Sequence, residues 1–70
     1  MTLRDAEVGR EYLIKEILTG DSELDSFLFT LGCYGGMPIT VIAKRRSGLT
    51  VSIKDGRYSI DNPLAGAIIV

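Results

Sequence analysis

Residues 22–42 change from a helical to a strand period across a cluster of glycines, and that change limits the folds open to the chain. Leu24, Phe27, Leu28 and Leu31 fall at i, i+3, i+4 and i+7, one face of a 3.6-residue helix. Ser22 is placed to cap that helix by accepting from the Asp25 N–H, and Glu23 and Asp25 put negative charge in its first turn. Gly32 can take the left-handed conformation that closes a helix. From Pro38 the period becomes two, with Ile39, Val41 and Ala43 facing one way and Thr40, Ile42 and Lys44 the other. So short a helix does not persist alone in water, so it must dock on a sheet.

A chain of 70 residues holds a single domain, residues 1–70, with one core. At this size only ~60% of the unfolded surface is buried. A hydrophobic content of 46% against 24% charged residues describes a globular chain. Without Trp, and with few aromatics, the core must be built of Leu, Ile and Val.

The net charge of −1 and pI near 5.2 argue against a general polyanion binder. The charges are nevertheless divided. Residues 1–25 carry three basic and seven acidic side chains, whereas residues 44–57 carry five basic and one acidic. Such a division describes either two solvated faces or a field that steers a partner.

One cysteine and no histidine exclude a disulfide framework within the chain and an ordinary zinc or iron site. Cys33 has no histidine to activate it, and its apolar flanks describe a small buried hydrophobe in a reducing, cytoplasmic setting. Acidic residues near Met1 break any signal-peptide pattern, and the apolar run Leu64–Val70 is too short to span a bilayer. A soluble protein is expected.

In chain order, residues 1–10 are a lead-in anchored by Leu3, Ala6 and Val8, with Val8-Gly9 turning into a first strand, Arg10–Leu18. Tyr12 and Ile14 share a face there. Ile17 follows Ile14 by three residues, so a bulge near Lys15-Glu16 is expected. Thr19–Ser22 forms the loop before the helix. After the strand Met37–Lys44, Arg45-Arg46-Ser47-Gly48 reads as a hairpin loop. Leu49, Val51 and Ile53 alternate with polar residues, and Asp55-Gly56 is a two-residue hairpin signal. Tyr58 and Ile60 mark the next strand, and Asp61–Ala65 one helical turn with Pro63 at its start. Ile68, Ile69 and Val70 close the chain as a strand. The pattern predicts a mainly β fold: a small five-stranded barrel with one short α-helix and a helical turn before the last strand.

Three stretches together resemble the FeoA family, the small cytoplasmic partner of bacterial ferrous iron transport. They are Leu28-Phe29-Thr30-Leu31-Gly32 with Gly36, Ile39-Thr40-Val41, and Tyr58-Ser59-Ile60 with Ala65 and Ile68-Ile69-Val70. Val8-Gly9 and Ile17 are similar to the family's opening. Phe27 stands where the family often has a basic residue, Gly35 where proline or a charge is usual, and Cys33 where an aliphatic side chain is usual. The resemblance implies an SH3-like barrel that binds an FeoB-type membrane transporter through its cytosolic part and modulates it. It implies no catalysis of its own. With one thiol, no imidazole and dispersed carboxylates, no cofactor and no metal site are expected within one chain, ferrous iron being the partner's cargo. Related domains also end iron-dependent repressors; with Met1 opening the chain and no DNA-binding helix pair in it, the stand-alone form is expected.

Phe29 lies off the core stripe of the helix, and Tyr34 and Met37 flank it in the glycine turn. These three are the candidate partner-binding residues, with Arg45 and Arg46 as steering charges. The alternatives are that Phe29 is covered by neighbouring segments and that Met37 packs under the barrel end. Gly32, Gly35 and Gly36 do not form a phosphate loop, since no Lys-Ser/Thr pair or helix follows. The scattered carboxylates offer no acid/base pair. The competing function is a nucleic-acid-binding SH3-like or Sm-like barrel using residues 44–57, which lacks stacking aromatics beside its charges. A proline-peptide SH3 module is disfavoured by the missing Trp. Weak self-association is compatible with the sequence.

Overall fold

The structure is a computed structural model describing residues 1–70. Its path is set by the segment expected to be one strand. Residues 11–18 form two short strands, β1 (Glu11–Leu13) and β2 (Glu16–Ile17), and each belongs to a different sheet. β1 pairs antiparallel with β3 (Pro38–Arg45), which continues through β4 (Gly48–Ile53) to β5 (Gly56–Asp61). β2 pairs with the terminal strand β6 (Ile68–Ile69). At the joint, Ile14 exchanges backbone bonds with the glycine turn, and the Lys15 N–H then donates to Ile69 at 2.7 Å. The expected bulge near Lys15-Glu16 is therefore a hand-over between sheets, and it buries Ile14.

The bulge of the sheet lies instead in β3, where the register slips between Val41 and Ala43. Ile39 and Val41 are buried, but the alternation then lapses and Ile42 and Ala43 are both half-buried. β4 keeps the expected period, with Leu49, Val51 and Ile53 all in the core. The hairpin turns are Arg46-Ser47 and Lys54-Asp55. Gly56 is thus not a turn residue but the partner of Ile53, and Lys54 takes the positive φ of 54°. In its strand position, the Tyr58 side chain occupies the place a Cβ on Gly56 would need.

Helix α1 spans Ser22–Leu31. Its cap is Asp21, not Ser22: the Asp21 carboxylate accepts from the N–H groups of Glu23 at 3.0 Å and Leu24 at 3.2 Å. A carboxylate facing free N–H groups at the positive end of the dipole outcompetes the hydroxyl. Leu28 is buried and Leu24 and Leu31 half-buried, but Phe27 is 57% exposed. The helix therefore docks on a stripe narrower than its sequence predicts. Helix α2 (Asn62–Ala67) is longer than the single turn expected, with Asp61 capping Leu64 at 2.9 Å and proline in the first turn.

The lead-in contains a 3-10 turn, Leu3–Asp5, that inserts Leu3 and Ala6 fully into the core. Val8, expected as a third anchor, is exposed, since its turn lies outside the sheet. Ile68 and Val70 are buried at the seam, and the Val70 N–H donates to Met1 at 3.0 Å. The expected barrel is present, its first strand shared between the two sheets. No helix is long and apolar enough to cross a membrane.

Candidate functional site

The end of α1 and the turn after it are fixed by a complete C-terminal capping motif. Gly32 sits at φ 88°, its N–H donates to Phe29 at 3.0 Å, and the Cys33 N–H donates to Leu28 at 2.9 Å. That is the Schellman pattern, and Cys33 and Leu28, the two positions the motif prefers to be apolar, are both buried in the core. The left-handed residue reverses the chain and returns Tyr34 to the outer side of the helix. There the Tyr34 ring stacks on Phe29, centroids 4.6 Å apart and planes inclined by 29°.

Phe29 is 62% exposed, so the coverage considered for it in the sequence is only partial, with the Tyr34 ring stacked on it. Tyr34 is half-buried. Met37 is placed differently: its side chain is half-buried and packs against the core, as the alternative reading had it. Its backbone ties the turn down, donating to Tyr34 at 3.1 Å and accepting from Ile14 at 2.9 Å. The Gly36 N–H donates to Ile14 at 2.7 Å with φ at 91°, and Gly35 approaches the Lys15 carbonyl so closely that a Cβ would lie 3.1 Å from its oxygen. The glycine turn is thus pinned to the joint between β1 and β2. An aromatic pair on a fixed support loses little entropy on binding.

Arg45 and Arg46 are exposed at the far hairpin. Arg45 donates to the Ser59 hydroxyl at 3.1 Å, and the Arg46 carbonyl accepts from Asn62 at 2.8 Å. Burial pushes the Cys33 thiol up to about 11, the opposite of what a reactive thiolate needs. No cluster of three Cys, Asp or Glu side chains is arranged to hold a metal ion.

Two apolar features escaped the sequence reading. Leu13 is 63% exposed on β1, and Leu18, at 58%, borders a groove of about 340 Å³ together with Thr19, Leu24, Pro63 and Leu64. The signal for Leu13 was a leucine on the outward face of a strand whose inward residues were Tyr12 and Ile14. The groove had no signal, since it forms between α1 and α2, far apart in sequence.

The FeoA domain family matches residues 1–70. The chain belongs to that family. No curated protein sequence matches it. Among solved structures, an iron uptake regulatory protein, FeoA, superposes with a TM-score of 0.84 at 25% identity, over 97% of this chain and 91% of that one. The FeoA of Stenotrophomonas maltophilia complexed with zinc, described as a prokaryotic SH3 domain protein and put forward as a ferrous iron transport activating factor, superposes at 0.85 with 19% identity, over 100% and 88%. A manganese-dependent transcriptional repressor reaches 0.84 at 20% identity over 97% of this chain but 39% of its own. The fold is therefore the SH3-like barrel of the FeoA family, an accessory of ferrous iron transport, and the same barrel forms one part of a longer repressor.

Proposed function

We propose that this FeoA domain is a non-catalytic module of residues 1–70 that works in the cytoplasm, docking on the cytosolic part of an FeoB-type transporter and modulating it. The observation that carries the reading is the Phe29–Tyr34 stack, an exposed ring at the end of α1 and a half-buried one on the pinned turn that follows. Aromatic anchors of this kind dominate protein interfaces, and half-buried Met37 follows Tyr34 in the same turn. Arg45 and Arg46 act at longer range, speeding encounter with an acidic surface. The chain itself holds no cofactor, and ferrous iron is the partner's cargo. One thiol without histidine, its proton held by burial, supports that assignment.

Titration of the domain into the isolated cytosolic part of the transporter, by calorimetry, tests the reading. Saturable 1:1 binding is expected. A flat titration at about millimolar concentration, beyond the weakest affinity such an interface supplies, contradicts it.

A further inference from the structure

The outer edge of β5 carries a self-complementary pattern. β5 ends the four-stranded sheet, and its hairpin with β4 directs the backbone of Gly56, Tyr58 and Ile60 inward and that of Arg57 and Ser59 outward. The backbone bonds outside helices and strands involve none of these outward groups. Of the usual protections of an edge, β5 lacks proline, lysine and a register slip, and its two charges, Arg57 and Asp61, are of opposite sign.

We propose that this edge pairs antiparallel with β5 of a second copy of the chain, Ser59 facing Ser59. Only residues whose backbone points outward on both strands can form the bonded pairs, and this register meets that condition. Ser59 exchanges bonds with its counterpart, and the Asp61 N–H of each copy donates to the other's Arg57 carbonyl. Exposed Arg57 then lies opposite the second copy's Asp61 on the solvent face, twice by symmetry. On the inner face, Tyr58 lies opposite the second copy's Ile60. Both are half-buried against the core in one copy, and the neighbouring strand covers what is left of them. Sliding by two residues toward the turn sets Asp61 against Asp55 of the other copy, and sliding the other way runs the strand into Pro63 of α2. The pairing rests on the edge alone and stands or falls apart from the transporter reading.

The test is backbone amide exchange by NMR on the intact domain, at about 20 μM and about 1 mM, alongside sedimentation equilibrium, a range that brackets weak association. Exchange of the Arg57, Ser59 and Asp61 amides is expected to slow with concentration as a dimer appears. Arg57→Glu, which faces the second copy's Asp61 with like charge, is expected to weaken the dimer about tenfold. Ser59→Pro, which removes an outward N–H that β4 does not use, is expected to be monomeric. A chain monomeric at the higher concentration, or a dimer in which these amides exchange unchanged, overturns the proposal. Protection appearing only when the transporter's cytosolic part is added overturns it too, and assigns the edge to that partner. If Ser59→Pro does not fold, Arg57→Glu and the amide pattern of the parent still decide.

Discussion

The Phe29 ring stacks on Tyr34 because Gly32, between them, is left-handed at φ 88°. Helix, glycine and aromatic pair are one construction: the helix ends, the chain reverses, and the second ring comes back over the first. The same reversal places Cys33 in the core beside Leu28 and lays the following glycines against Ile14 and Lys15. The pair is therefore supported from below by buried residues, and substitutions in the support and in the rings should separate.

The cap of α1 is the first place to check the account. Asp21→Ala is expected to cost about 1 kcal/mol, while Ser22→Ala changes stability by a few tenths at most. Chemical denaturation of both variants measures this. Equal losses would return the cap to Ser22.

Gly48 is required by space. A Cβ there would overlap the Ile60 carbonyl oxygen and lie 3.0 Å from the Asp61 Cα, both backbone atoms that cannot yield without parting β4 from β5. Gly48→Ala is expected to destabilise by about 2 kcal/mol or more, a large share of the stability of so small a domain. An unchanged denaturation midpoint would show that the strands separate freely at this end.

The seam depends on the last residues. Removing Ile69 and Val70 deletes the bond from Lys15 to Ile69, the bond from Val70 to Met1, and a side chain that is only 7% exposed. The expected loss is several kcal/mol, from ~1.5–3 kcal/mol per buried aliphatic side chain plus the lost pairing. A truncated chain that melts like the parent would refute the closure.

Much of this was legible beforehand because the signals were local. Gly32 after a helical stripe, the alternation of Leu49, Val51 and Ile53, and Asp61 before Pro63 each specify their conformation within a few residues. The misreadings have two sources. Competition between adjacent candidates misplaced the cap by one residue, from Asp21 to Ser22, and moved the hairpin turn from Lys54-Asp55 to Asp55-Gly56. Tertiary context decided the others. The chain passes from one sheet to the other because Gly36 and Met37 bond the backbone of Ile14 and Ile69 bonds that of Lys15, and Phe27 stays exposed because no segment reaches it. For the candidate site, the sequence supplied Phe29 and Tyr34 as neighbours along the chain, but their stacking and the packing of Met37 below depend on the reversal at Gly32.

Cys33 gives a pH test. Burial raises its thiol from 9.0 to about 11, so the folded chain keeps the proton in a range where the unfolded chain releases it. Stability is therefore unaffected by this group below pH 9.0 and falls as the pH rises from 9.0 toward about 11. Cys33→Ala, a smaller side chain, should be less stable at neutral pH yet lose less on going to alkaline pH. The thiol should resist alkylation at pH 8 until the chain unfolds. Rapid labelling of the native protein would place Cys33 at the surface.

The central claim is that the Phe29–Tyr34 pair is the docking anchor, and one comparison addresses it. The affinities of the parent, Phe29→Ala and Tyr34→Ala for the transporter's cytosolic part are measured by titration, with circular dichroism confirming the fold. Phe29 is 62% exposed, so its removal should leave the domain folded. Each substitution is expected to weaken binding tenfold or more, about 1.4 kcal/mol, while neutralising Arg45 and Arg46 changes chiefly the salt dependence of the association rate. If both aromatic variants fold and bind like the parent, the anchor lies elsewhere on the barrel.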